Sequence, residues 1–217
     1  MPPIQVEPVH SLRGLYLILD PAVVGRCSLA DLAEMALAAG MRTIQLRMKT
    51  DRTGEFYDMA AALCPLVHAE GGIFIVNDRC DVALAVGADG VHLGQEDLPL
   101  ADARAVLGPG KLIGISTHTL AQALEAEAGG ADYIGFGPIF PTTTKAHPVP
   151  VVGVASLCEV RARVRTPIVA IGGITAKNIG EVLAAGADCA AVISAVLSAP
   201  DPSKAMIELI SAIEGKA

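Results

Sequence analysis

The segment Gln45-Leu46-Arg47-Met48-Lys49 sets one amide and two cations at alternate positions. In an extended strand successive side chains point to opposite faces, so Gln45, Arg47 and Lys49 share one face, and Leu46 and Met48 share the other. Cations on a half-buried face need an anion. That anion is either an acid of the same fold, as a structural ion pair, or an anionic substrate. Asp20, at the end of an earlier β-rich run, is placed to anchor a nearby cation. Two further runs end in Val76-Asn77-Asp78 and in Gly94-Gln95-Glu96-Asp97. Carboxylates at neighbouring strand ends can share one Mg²⁺, an ion that takes one or two carboxylates plus water and substrate phosphate. By itself an Asn-Asp pair reads equally as a turn or cap; beside a cationic strand end the metal and phosphate chemistry gains weight, with Asn77 as a donor to the same phosphate.

A hydroxyl at Ser116, in Ser116-Thr117-His118, suits a phosphate or a ring nitrogen, while Thr117 reads equally as a helix cap. The stretch Pro138 to Pro148 is long and polar for a connector, and Thr142, Thr143, Thr144 and Lys145 suit a second phosphate or a lid. Gly172-Gly173-Ile174-Thr175 and Ile193-Ser194-Ala195 each end a β-rich run just before a helical pattern, where exposed backbone N–H groups favour an anion. His10 and His68 fall outside this constellation, and His92 lies within a strand as a packed or hydrogen-bonded residue. His118 and His147 fall on its side with no role assigned. The five cysteines, Cys27, Cys64, Cys80, Cys158 and Cys189, are scattered without metal-ligand spacing, so they read as reduced structural thiols. No Ser/His/Asp triad and no Cys nucleophile emerges.

These residues must be positioned by an alternating frame. Strands are expected at 15–20, 43–47, 73–77, 90–93, 111–116, 132–137, 167–172 and 189–194, from short β-rich runs. Helices are expected near 28–39, 53–69, 79–86, 99–107, 118–128, 153–164, 175–185 and 202–214, from apolar residues at i, i+3, i+4 and i+7. Ser28, Thr175 and Asp201 read as helix caps, with Pro202 in the first turn of the last helix. Four similar phrases, AAGMRTIQL, AVGADGVHL, AGGADYIGF and AAGADCAAV, each read as a helix end, a left-handed glycine cap and a new strand. Eight βα units imply a parallel sheet that closes into a (β/α)₈ TIM barrel, one domain over 15–217 after an N-terminal extension of 1–14. A doubly wound open sheet is the alternative; it would need two edge strands, and no run carries edge-type charges. In a barrel the chemistry sits at the C-terminal ends of the strands, where the candidate residues of this constellation are expected to cluster.

Composition narrows the function. The chain has 217 residues, 52% hydrophobic and 18% charged, which excludes a disordered chain. Aromatics are 3% with no Trp, and the net charge is −7, which argues against stacking platforms and basic fields for nucleic acid. Mean hydropathy is +0.51, yet no apolar run approaches a membrane span. The start lacks the pattern of a secretory signal, so a cytoplasmic protein is expected. A homo-oligomer stays open. Two anion sites and a divalent metal at one barrel mouth suit an enzyme that joins two phosphorylated molecules with metal-assisted loss of pyrophosphate.

From Leu15 to Ser211 the chain resembles the thiamine-phosphate synthase family, through QLRMK, VND, GVHLGQEDLP, GIST, GFGPIFPTTTK, IGGIT and VIS. The resemblance implies transfer of the 4-amino-2-methylpyrimidin-5-ylmethyl group from its pyrophosphate to the nitrogen of 4-methyl-5-(2-phosphoethyl)thiazole. It implies that Gln45, Arg47, Lys49, Asn77, Ser116 and Lys145 bind the pyrimidine pyrophosphate, with Arg47, Lys49, Lys145 and Ser116 catalytic. It further implies that Asp78 and Asp97 bind Mg²⁺, and that Thr142, Thr144, Gly173, Ile193 and Ser194 hold the thiazole phosphate. Met48 departs from the family, which usually has an acid there; alternation turns it away from Gln45 and Arg47. The competing readings are a thiazole tautomerase-like isomerase, which would need no metal pair, and a non-catalytic barrel that binds thiamine phosphate.

Overall fold

Six of the eight strands start just after a helix that a positive-φ glycine terminates. At Gly87 and Gly186 the backbone turns with φ of 73° and 101°, a region that a side chain would strain, and the chain reverses into the next strand within a few residues. The computed structural model describes residues 12–142 and 150–215. Its strands are β1 (Gly14–Leu19), β2 (Thr43–Leu46), β3 (Ile73–Asn77), β4 (Gly90–Leu93), β5 (Leu112–Thr117), β6 (Tyr133–Phe136), β7 (Ile168–Ile171) and β8 (Cys189–Val192). Between and after them lie α1 (Leu29–Ala38), α2 (Thr53–Ala69), α3 (Cys80–Val86), α4 (Leu100–Leu107), α5 (Leu120–Ala128), α6 (Gly153–Arg163), α7 (Ile179–Ala184), α8 (Ser194–Leu197) and α9 (Pro202–Glu214).

All eight strands pair in parallel, and β1 pairs with β8, Gly14 opposite Cys189 and Leu17 opposite Val192, to close the barrel. The TIM-barrel expectation therefore holds, in one domain. Outward-facing strand residues such as Leu17, Leu19, Ile44, Leu46, Phe74 and Val76 form one core with the helices. Inward-facing residues form a second, smaller one: Leu12, Tyr16, Ile18, Ile75, Tyr133, Val169, Cys189 and Ala191. Space inside is tight. A Cβ on Gly114 would lie 2.1 Å from Cζ of Tyr133, so the glycine makes room for that ring.

Two expectations need correction. The helix expected over 175–185 is α7, which starts at Ile179. Asn178, not Thr175, is its N-cap residue, because the Asn178 Oδ1 accepts from the Thr175 N–H at 2.8 Å and holds residues 175–178 in a turn. Eight helices were expected and nine are present among the described residues, the extra one being the single turn α8 directly after β8. Ser28 and Asp201 cap α1 and α9 as expected.

The recurring phrases share more than a glycine. Asp89, Asp132 and Asp188 each precede an even-numbered strand. Each accepts the backbone N–H of the preceding odd-numbered strand, from Phe74 at 2.7 Å, Ile113 at 2.7 Å and Ile168 at 2.8 Å. Each also meets a basic side chain from an even-numbered helix: His68 at 2.8 Å, Arg104 at 2.5 Å and Arg161 at 2.9 Å. The fold thus repeats one staple every two βα units, at the N-terminal rim. Asp132→Ala would strand the N–H of fully buried Ile113. An unsatisfied buried donor costs about 1–3 kcal/mol, so the urea unfolding midpoint should fall with an unchanged slope, while the opposite rim keeps its geometry.

Candidate active site

At the C-terminal rim the cationic strand end meets acids on both sides. The Gln45 side chain is buried inside the barrel, and its Nε2 donates to the Tyr16 hydroxyl at 2.8 Å. One turn of the alternation higher, Arg47 Nη1 donates to Oδ2 of buried Asp20, which is the anchor expected for it. Lys49 Nζ donates to Asp78 Oδ2 at 2.5 Å. Both cations are therefore ion-paired within the fold. The Lys49 side chain is 59% exposed against 18% for Asp78, so the ammonium still faces solvent at the mouth.

Asp78 is held unusually. Its φ of 63° is the one positive value at a non-glycine among the described residues, and its N–H donates to the His92 carbonyl at 2.9 Å. Burial pushes the Asp78 carboxyl above the usual carboxylate range; the Lys49 ammonium opposes this, and contact with Asp97 adds to it. Asp97 Oδ2 accepts the Gly94 N–H at 2.6 Å, which fixes the second carboxylate. The two acids therefore meet, as the strand ends suggested. Asn77, at the end of β3, is buried beside them. No group of three or more His, Cys, Asp or Glu side chains with metal-ligand geometry occurs among the described residues.

Across the mouth lies a cavity of about 320 Å³. Ser116, His118, Thr142, Gly172, Gly173, Ile193 and Ser194 line it, together with apolar Pro138, Val151 and Ile171. The Gly-Gly turn after β7 packs against the loop after β6: a Cβ on Gly173 would lie 2.6 Å from the Pro141 carbonyl. His118 Nδ1 donates to the Gly137 carbonyl at 2.5 Å, which ties the ends of β5 and β6 together. Thr117 is fully buried and donates to the Gly135 carbonyl at 3.2 Å; Thr119 caps α5 instead. Ser116 belongs to this cavity and also to a smaller one, about 50 Å³, that descends into the barrel between Tyr16, Gln45, Arg47, Asn77, His92 and Tyr133. Thr144, Lys145 and His147 lie outside the described residues.

The structure thus brings Arg47, Lys49, Asp78 and Asp97 to one side of the rim and Thr142, Gly173 and Ser194 to the other, with Gln45, Asn77, Ser116 and Ile193 around the small cavity between them. Sequence reasoning missed Tyr16 and Tyr133, whose hydroxyls stand 3.1 Å apart inside the barrel. The available signal was alternation: Tyr16 is separated by two from Ile18 and so shares the inner face. Thiolate chemistry is disfavoured at three of the cysteines, since burial raises Cys64 and Cys80 and pushes Cys189 up to about 12.

Comparison with known proteins gives the family of the chain. Residues 15–196 match the family model described as "Thiamine monophosphate synthase". A thiamine-phosphate synthase of Methanospirillum hungatei JF-1 is 51% identical over 191 residues, covering 87% of this chain and 91% of the relative. One from Myxococcus xanthus is 45% identical over 205 residues, covering 94% of each. The solved thiamine phosphate pyrophosphorylase of Pyrococcus furiosus superposes with a TM-score of 0.84 at 42% identity, over 94% of this chain and 96% of that one. Sequence and barrel agree over nearly the whole length, and the chain belongs to the thiamine monophosphate synthase family.

Proposed function

We propose that the protein joins 4-amino-2-methyl-5-(diphosphooxymethyl)pyrimidine to 4-methyl-5-(2-phosphoethyl)thiazole, giving thiamine phosphate and pyrophosphate. The observation that carries this reading is the two-sided rim. A cation and carboxylate cluster stands at the ends of β1–β4, and a glycine- and hydroxyl-lined cavity stands at the ends of β5–β8, in a chain of this family. The first side suits a pyrophosphate and the second a phosphate. In this reading Gln45, Asn77 and Ser116 orient the pyrimidine, while Arg47, Lys49 and Lys145 meet its pyrophosphate. Thr142, Thr144, Gly173, Ile193 and Ser194 hold the thiazole phosphate. Free thiols at all five cysteines support a reducing, cytoplasmic setting.

Asp78 and Asp97 fit a divalent ion. Two carboxylates in contact, one of them raised by burial and met by the Lys49 ammonium, carry more negative charge than that one cation balances and favour a second. Such a pair is what Mg²⁺ takes when phosphate oxygens complete its shell. A bound Mg²⁺ would supply charge neutralisation at the departing pyrophosphate. With Asp78 committed to the ion, the Lys49 ammonium is available to pyrophosphate oxygens. Arg47 stays oriented by Asp20, a fixed donor that needs no rearrangement as charge develops. The pyrimidine's amino group feeds electrons into the ring, so the carbon–oxygen bond can break before attack, and the thiazole nitrogen then closes on the methylene carbon. That nitrogen is already a nucleophile, so no general base is required. The rim must exclude water during the cation's lifetime.

Purified protein mixed with both substrates and Mg²⁺ should form thiamine phosphate, and EDTA should abolish it. Asp78→Asn and Asp97→Asn should each lower kcat at least ~100-fold, about 2.7 kcal/mol of barrier, with folding retained. Full activity in EDTA would remove the metal from the reading.

The two sides of the rim should separate in binding. Gly173→Val is a poor probe, because a side chain there would push on the Pro141 carbonyl and displace the neighbouring loop. Ser194→Ala should weaken the thiazole phosphate about tenfold, a loss near 1.4 kcal/mol, and leave the pyrimidine pyrophosphate nearly unchanged in calorimetric titrations. Equal loss of both ligands would mean a single shared site. Lys145→Ala should slow transfer and raise the ratio of pyrimidine alcohol to thiamine phosphate in the products, measured by chromatography. An unchanged ratio would limit Lys145 to electrostatics.

A further inference from the structure

Five side chains cross the inside of the barrel as one hydrogen-bonded chain. Gln45 Nε2 donates to the Tyr16 hydroxyl at 2.8 Å, and the Tyr16 and Tyr133 hydroxyls are 3.1 Å apart. The Tyr133 hydroxyl lies 3.1 Å from His92 Nδ1, and His92 Nε2 lies 2.9 Å from Ser116 Oγ. The two ends, Gln45 and Ser116, line the same small cavity. The two phenols, which line that cavity with His92, are closed to outside solvent: Tyr16 is 1% exposed and Tyr133 is 0%.

Counting protons shows what the chain can do. Burial raises both phenols above their ordinary value, so each keeps its single proton. A neutral imidazole also carries one, on either nitrogen, and the serine carries one. A Tyr16 hydroxyl that accepts from Gln45 donates onward to Tyr133. Tyr133 then donates to His92 Nδ1, the imidazole proton stands on Nε2, and Nε2–H donates to Ser116 Oγ. The serine proton is left to point into the cavity, and the remaining polar atom of the Gln45 amide is the acceptor Oε1. Turning the amide over reverses every link. Ser116 then donates into the chain and offers the cavity only lone pairs, while Gln45 offers its N–H. A mixed arrangement sets two donors or two acceptors against each other in a buried space, which is costly.

We propose that Tyr16, Tyr133 and His92 are positioning residues that lock the hydrogen-bonding faces of Gln45 and Ser116 to each other, so that the cavity shows an acceptor at one end only while it shows a donor at the other. The consequence for substrate choice rests on the reading that the aminopyrimidine edge meets Gln45 and Ser116 at this cavity. An amino group beside a ring nitrogen presents one donor and one acceptor, complementary to the sense seen here. The 4-oxo analogue, with a carbonyl beside a ring N–H, presents the inverse pattern and requires the whole chain to turn over. Discrimination is then a property of five residues acting together, three of which donate nothing to the substrate.

The sense of the chain is legible without substrate, from the tautomer of His92. Two-bond ¹H–¹⁵N correlation spectra at about pH 8.5, well above the ordinary imidazole pKa, should show a single Nε2–H tautomer in the unaltered protein. Tyr16→Phe, two side chains away from the imidazole, should convert this to a mixture, and Gln45→Met should do the same. Retention of one pure tautomer in both variants would overturn the coupling. The second arm is kinetic. Tyr133→Phe should narrow the ratio of kcat/KM for the 4-amino over the 4-oxo pyrimidine pyrophosphate by at least ~10-fold; a purely structural role would lower both values and leave the ratio, and that result would overturn the link to specificity. If a Tyr16 variant does not fold, Gln45→Met carries the spectroscopic arm. Tautomer changes without thiamine phosphate formation would refute the activity and keep the coupling; activity with an unresponsive His92 would do the reverse.

Discussion

Everything at the rim depends on the pairing of β1 with β8. A parallel sheet of short strands leaves two rows of backbone groups unpaired unless it closes, and here Gly14–Leu17 against Cys189–Val192 removes both edges at once. Closure also points all eight carboxyl ends the same way. Gln45, Asn77, Asp97, Ser116, Gly173 and Ser194 are spread over some 150 positions of sequence, yet each follows or ends a strand, and so each is delivered to one mouth. The proposed reaction takes two anionic ligands, and the ring of strand ends offers two arcs on which they could sit.

The same closure creates an interior that must be filled. An apolar filling would be the cheaper solution, and part of the interior follows it, with Leu12, Ile18, Ile75 and Val169. The same interior also holds Gln45, Tyr16, Tyr133, His92 and Ser116, all joined by hydrogen bonds. No buried side-chain nitrogen or oxygen among the described residues lacks a partner. Satisfied buried networks are rigid because any rotation breaks two bonds at once. Charges at the rim follow a parallel logic: Arg47 and Lys49 each face an acid, so the mouth is held in shape by counter-charges.

Stability and chemistry are separated along the barrel axis. At the amino end, Asp89, Asp132 and Asp188 staple alternate strands to their neighbours with the help of His68, Arg104 and Arg161. At the carboxyl end, acids of the same type carry strain instead: Asp78 sits in the left-handed region with its carboxyl raised by burial. One residue type does opposite things because its neighbours differ. Backbone N–H groups and a basic side chain surround the first set, whereas Asp78 has a second carboxylate beside it as well as the Lys49 ammonium.

The sequence by itself determined the strands, the helices and the carboxyl-end location of the site, because period-2 and period-3.6 patterns and glycine caps are local properties that burial then reinforces. It also carried the identity of the rim residues, through alternation in Gln45, Arg47 and Lys49 and through seven separate family motifs. Local signals failed where two readings were equal in the chain and tertiary contacts chose between them. Thr175 and Asn178 both make good caps, and the hydrogen bond from the Thr175 N–H settled the start of α7. Ser194 to Leu197 is too short a turn to show periodicity. Tyr16, Tyr133 and His92 stand 117 and 41 positions apart in the chain, and no spacing rule links them. Only closure of the barrel brings their polar atoms to hydrogen-bonding distance, and only the absence of a side chain at Gly114 lets the Tyr133 ring lie where the chain needs it.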